Sequence, residues 1–253
     1  MLQSKLHQQL EQKANAFRQK ANFNTTEPIP LESLLLQLNV ITSFRAMSEK
    51  LSGMAIKLQD DKEIYRLMLV NSEHNVGRQN FTICHELYHL FIQENFTSQF
   101  CSTGIFDVKD IEEYKADIFA SFLLMPTFGI ESQIPENEKE LDLISLATII
   151  KIEQYYQCSR LALLYRLKSL SYITQEKLER YRLRVKEGAY QHGYDTDLYG
   201  KDREGLHIGD YGAITNALFD DEHISEGHFA ELMSVIGVNV FAELNTNEED
   251  VTS

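Results

Sequence analysis

The chain has 253 residues, 43% of them hydrophobic, with 24 Lys and Arg against 38 Asp and Glu and a formal net charge of −14. That size and apolar content allow one large domain or two smaller ones around a sizeable core, while the acidic balance opposes generic nucleic-acid binding because phosphates would be repelled by most of the surface. The cysteines Cys84, Cys101 and Cys158 are odd in number and widely spaced, which argues against a disulfide framework. The opening Met1-Leu2-Gln3-Ser4-Lys5 lacks the apolar core of a signal peptide, and no apolar run reaches the roughly 18 residues of a membrane span, so a reducing, cytoplasmic setting is expected.

Leu2, Leu6, Leu10, Ala14, Phe17 and Ala21 recur every three or four residues, which predicts an amphipathic helix over 2–22. The polar, proline-bearing stretch 24–30 breaks it, and a short helix is expected at 31–38. Residues 40–44 are β-branched and apolar, a strand pattern. Residues 53–58 and 64–70 give two more strands, joined as a hairpin by Gln59-Asp60-Asp61-Lys62. A polar loop at 71–80 leads into the apolar run 81–91, expected to be helical. Residues 93–108 are less regular. A second helix is expected over 110–125, apolar all round in its second half and stopped by Pro126.

Residues 131–140 read as a polar linker, followed by a helix over 141–156. Ser159 can cap a further helix at 160–170, and the short break before it gives a helix-turn-helix look. Thr174 can cap a long charged helix over 175–188, whose Lys177, Arg180, Arg182, Arg184 and Lys186 form a solvated face with partners in Glu176 and Glu179. The glycine- and tyrosine-bearing stretch 188–213 is loop-like. Short helices are expected at 214–219 and, capped by Ser225, at 226–235. The polar, acidic tail 245–253 is expected to be disordered.

The chemistry concentrates in the run His85-Glu86-Leu87-Tyr88-His89. On a helix, residues four apart stand one above the other on one face, so His85 and His89 can share one metal ion while the Glu86 carboxylate faces the position left for water. A third ligand is needed. The spacing with a later histidine fails, because Ile92 and Asn95 stand where glycine and histidine would be. An acid on the second helix can serve instead: Glu113 would bind, and Asp117, one turn along the same face, would accept from a ligand histidine and orient it. Glu112 is the rival, pointing about 100° away. Tyr88 and Tyr114 are weak candidates for an oxyanion donor. Cys84 is expected to be inert in an apolar helix, and His74, His192, His207, His223 and His228 take surface roles by default.

Two blocks carry a family resemblance. Arg78-Gln79-Asn80-Phe81-Thr82-Ile83-Cys84-His85-Glu86-Leu87-Tyr88-His89 resembles the R-x-x-F-T-x-x-H-E-x-x-H block of the ImmA/IrrE metalloendopeptidases. Residues 113–126 resemble that family's E-x-x-A-N-x-F-A-x-x-L-L-M-P block, with Asp117 in place of the commoner asparagine; either can accept from a histidine N–H. The resemblance covers about residues 10–173 and implies a cytoplasmic Zn2+ metalloendopeptidase. Its metal would be held by His85, His89 and Glu113, its general base would be Glu86, and its substrate would be a helix-turn-helix transcriptional repressor of a mobile element or stress operon.

The fold class expected is α+β: a small mixed sheet packed with zincin-type active-site helices, then a mainly helical C-terminal half. The division expected is a zincin-like metallopeptidase domain at 1–130, a helix-turn-helix-like segment at 131–174 and a C-terminal region at 175–253 with no role assigned. Two rivals to a peptidase are a regulator that uses the metallopeptidase fold as a binding scaffold and a DNA-binding regulator. Intact Glu86 argues against the first and the −14 charge against the second.

Overall fold

The computed structural model describes residues 2–59, 63–96, 98–101 and 110–240. It begins with α1 (Leu2–Lys20), which buries Leu10, Ala14 and Phe17, and α2 (Leu31–Gln37), which follows Pro30. Along β1 (Val40–Arg45) burial alternates, with Val40, Thr42 and Phe44 inside, the period-two pattern of a strand with one face on a core. β2 (Gly53–Gln59) and β3 (Ile64–Asn71) pair antiparallel, Gly53 opposite Val70 and Gln59 opposite Ile64. Residues 60–62 of the predicted hairpin turn lie outside the described residues. β3 also runs parallel to β1, in the register Val40↔Arg66.

The histidine helix is α3 (Val76–Phe91), followed by β4 (Ser98–Cys101), which pairs antiparallel with β2. Half of the irregular segment expected at 93–108 (97 and 102–108), and the tail 245–253, lie outside the described residues, while 98–101 form β4 where no strand was expected. Next come α4 (Ile111–Leu124), α5 (Thr127–Gln133), α6 (Leu146–Tyr156), α7 (Arg160–Ser169), α8 (Gln175–Tyr181) and α9 (Val185–Gln191). A two-residue strand, β5 (His207–Ile208), returns to pair with Ser43 and Thr42 of β1. Then α10 (Tyr211–Asp220) and α11 (Glu226–Val235) follow.

The fold is therefore α+β, with a mixed sheet ordered β4-β2-β3-β1-β5 among the described residues and helices through the C-terminal half. α3 packs on β2 and β3, α4 on α3, and α1 on α4, so α3 is covered on both sides and from Val76 to Leu90 only Arg78 is not buried. Its polar side chains tie it to the surrounding loops. Gln79 donates to the carbonyls of Ser72, His74 and Asp202, and Asn80 to that of Gln157. Among the described residues no helix is long and apolar enough to cross a membrane.

Several boundaries differ from expectation for local reasons. α3 starts at Val76 rather than 81 because the Asn75 side chain accepts from the Arg78 N–H at 2.9 Å, an N-cap inside what reads as polar loop. Gly77 in that first turn meets the backbone before α7: a Cβ there would lie 2.6 Å from the Ser159 nitrogen. α6 begins at Leu146 rather than 141, since the Ser145 hydroxyl caps it and the Ser145 N–H donates to Glu138. α5 appears where only the end of a helix and a linker were expected.

The charged helix expected over 175–188 is two helices. Arg184 sits in the left-handed region at φ 52°, and the turn brings Gly188 against Ile150 and Leu146 and buries Ala189. Burying that small apolar face outweighs helical continuity. Of the histidines given surface roles, His74 is buried, its Nε2 3.3 Å from the Glu49 carbonyl, and His207 is half-buried with its Nδ1 2.8 Å from the Ser43 hydroxyl.

Candidate metal centre

His85 and His89 project from the C-terminal half of α3, both buried, and Glu113 from the first turn of α4. Asp110 caps that turn, accepting from the N–H groups of Glu112 and Glu113 at 3.0 and 3.3 Å. The opposite end of α4 is held by two buried guanidinium groups: Arg18 donates to the Leu123 carbonyl at 2.5 Å, and Arg166 to the Met125 carbonyl at 3.3 Å. With both ends fixed, the helix presents the Glu113 carboxylate to the Nε2 atoms of both histidines.

The three donor sets converge on one point. The Nε2 atoms of His85 and His89 are 3.1 Å apart, and the Glu113 oxygens lie 3.2 Å from the first and 3.3 Å from the second. At zinc bond lengths of roughly 2.0–2.1 Å, neighbouring ligands of a tetrahedron stand about 3.3–3.4 Å apart. These three atoms already have that spacing, so the group could hold a metal ion with a fourth position left over. Glu112 is turned elsewhere: it accepts from the Tyr88 hydroxyl at 2.8 Å and pairs with Lys115 at 2.6 Å. That contact also commits the Tyr88 hydroxyl away from the centre. Tyr114 faces α1, where its hydroxyl lies 2.9 Å from the His7 Nε2.

The outer nitrogens are held as well. Asp117 Oδ1 lies 2.9 Å from the His85 Nδ1. Gln93 Oε1 lies 2.5 Å from the His89 Nδ1, and the Phe96 ring stacks on His89 at 5.3 Å between centroids. Such acceptors fix the tautomer that turns Nε2 toward a metal. The sequence reading missed Gln93. The available signal was its spacing, four residues past His89, but it lies beyond the end of the helix. Replacing Asp117 or Gln93 with alanine is expected to weaken zinc binding by about 10- to 100-fold without unfolding the chain, measured by chelator competition. Unchanged affinity in both variants would show that neither orients its histidine.

Burial depresses the charged form of His85, but its contacts with Asp117 and Glu113 and the nearby Glu86 charge outweigh burial and hold its pKa up at about 10. Burial acts to raise Glu113, yet the two histidines hold its carboxyl well below the usual carboxylate range. A metal must therefore displace at least the His85 proton at any pH below about 10. Apparent zinc affinity is expected to rise about tenfold per pH unit between roughly pH 6 and 9. Titrations against a chelator of known pH dependence measure this, and a flat profile would contradict it.

Glu86 lies on α3 next to His85 and is fully buried. The start of β2 passes so close that a Cβ on Gly53 would stand 2.8 Å from the Glu86 Oε1 and 2.6 Å from the Thr82 methyl. Only glycine leaves that carboxylate its place. Cys84 is buried on the same helix, its thiol pushed up to about 12 by burial, consistent with an inert side chain.

The model of the IrrE N-terminal-like domain matches residues 40–168, slightly more than half of the chain and all of the side chains that frame the centre. The chain belongs to this ImmA/IrrE family of peptidases. No curated protein matches the chain. The matched span of the IrrE-like domain begins at the first residue of β1 and ends within α7, so α1, which packs on the Glu113 helix, precedes it.

Proposed function

We propose that this chain is a zinc-dependent metalloendopeptidase of the cytoplasm that cuts a helix-turn-helix transcriptional repressor of its own mobile element or stress operon. The carrying observation is the convergence of two imidazole nitrogens and one carboxylate at 3.1–3.3 Å, with a buried glutamate beside the first histidine. His85, His89 and Glu113 would hold a zinc ion, which when bound would supply Lewis acidity for the scissile carbonyl and lower the pKa of water toward neutrality.

In this reading Glu86 accepts the proton of the attacking water and delivers it to the leaving amine. Its burial between α3 and the start of β2 keeps it aimed and out of bulk solvent. Asp117 and Gln93 hold the two imidazoles in register. β4 pairs only with β2 among the described residues, leaving a strand edge along which an extended substrate segment can add by β-augmentation.

The test is co-expression of the chain with a neighbouring helix-turn-helix protein, wild type against Glu86→Gln, with mass spectrometry of the partner. A cut made by the wild type alone supports the peptidase. An uncut partner in both would favour a regulator using this fold as a binding scaffold.

A further inference from the structure

A cavity of about 280 Å³ lies between α1, α4 and α7, on the side of α4 away from the metal-binding group. Its single cation is Arg166, only 5% exposed. Among the described residues no carboxylate forms an ion pair with this guanidinium. Its Nε donates to the Met125 carbonyl at 3.3 Å, Nη2 to the Thr127 hydroxyl at 2.5 Å, and Nη1 reaches the Ser169 hydroxyl at 3.5 Å. Glu11 and Glu131 act on it only at longer range, Glu11 through the Thr127 hydroxyl. Of five N–H donors on an arginine, two are left over, on a side chain that lines an open volume.

The contrast with Arg18 is instructive. That fully buried arginine donates to three backbone carbonyls, of Asn24, Leu123 and Glu27, and is a structural plug. Arg166 is less completely satisfied, and one face is covered by the Phe122 ring at 4.2 Å. A buried guanidinium with no carboxylate in direct contact is costly, so an anion in the cavity would be favoured there. The other lining groups are mostly apolar or aromatic, including Ile118, Tyr114 and Tyr165, with Ser121 and His7 at polar positions. A mostly apolar wall with one fixed cation suits an organic acid better than an inorganic anion. The volume is roughly nine waters' worth, the scale of a single substituted ring.

We propose that this cavity is a binding site for a small carboxylic acid with an apolar or aromatic body, its carboxylate on Arg166 and its body against Ile118 and Tyr114. The site goes beyond the peptidase reading and does not depend on it. Burial and the Arg166 charge also lower the His7 pKa, which favours the neutral ring and leaves Arg166 as the cation of the cavity.

The experiment is calorimetric titration of the full chain with benzoate, benzamide and inorganic phosphate, without added metal. Saturable benzoate binding is expected, weaker by about tenfold or more for benzamide, which lacks the charge. Ser121→Leu fills the cavity from α4 without removing any contact to Arg166, and should weaken benzoate by a similar factor at an unchanged melting temperature. Arg166→Gln should abolish the preference for benzoate over benzamide. Equal binding of benzamide, wild-type affinity in Ser121→Leu, phosphate binding without benzoate binding, or no saturable benzoate binding would each overturn the proposal. None of these outcomes bears on zinc or cleavage, so this inference and the peptidase reading fail separately.

Discussion

Glu86→Gln is expected to reduce cleavage of the partner by roughly 10²–10⁴-fold while zinc stays bound. Glutamine has almost the same shape, so it fits the space that Gly53 leaves beside Glu86, but it cannot accept a proton. The atoms that converge on the metal position come from His85, His89 and Glu113, and none is touched. The measurement pairs an initial cleavage rate with metal content by mass spectrometry. Cleavage at the wild-type rate would place the general base elsewhere. The complementary change, Glu113→Ala, should release zinc by more than the roughly 10- to 100-fold typical of removing an outer partner. Zinc retained at full affinity would remove Glu113 from the ligand set.

The two variants separate because two different kinds of information built the site. His85, Glu86 and His89 were legible in the sequence because a helix converts a fixed spacing into a shared face. Glu113 and Asp117 were legible by the same rule applied one helix later, and the structure supplies the reason Glu112 is not equivalent: Tyr88 and Lys115 engage it. Gln93 was not legible, because it follows the C-cap of α3 and its approach to His89 depends on how the chain leaves the helix. Gly53 was visible only as a strand start. Its closeness to Glu86 joins residues far apart in sequence, which no local pattern encodes.

The fold shows the same division. Strand β1 announced itself by β-branched, apolar composition, and β2 and β3 as apolar runs on either side of a polar turn. β5 did not, because two residues carry no period and their pairing with β1 is set by a long return of the chain. The break at Arg184 was hidden because every residue from 175 to 188 is compatible with helix. What decides it is tertiary: Gly188 and Ala189 pack over α6 only if the chain turns first.

That α6–α7 region holds the largest expected effect on stability. Glu153 is fully buried and accepts from Arg160 Nη2 at 2.6 Å, from Arg160 Nε and from the Tyr199 hydroxyl. Arg160 also donates to the Tyr181 carbonyl at 3.2 Å, so the pair ties α6, α7, the end of α8 and the 197–199 turn together. Arg160→Leu is expected to cost about 3–5 kcal/mol, because it leaves a carboxylate buried without its cation. Replacing both partners, Glu153→Leu with Arg160→Leu, should recover much of that loss, since the desolvated charge is then gone. Denaturant unfolding of the two variants and the parent measures the difference. A double variant no more stable than the single one would mean that the geometry of the pair, rather than charge compensation, holds the α6–α7 turn against Gly77. The same unfolding series bears on the metal centre, because Gly77 opens the helix that carries His85 and His89. A destabilised turn should therefore also weaken zinc binding in the Arg160→Leu chain, and zinc affinity should return in the double variant in step with stability.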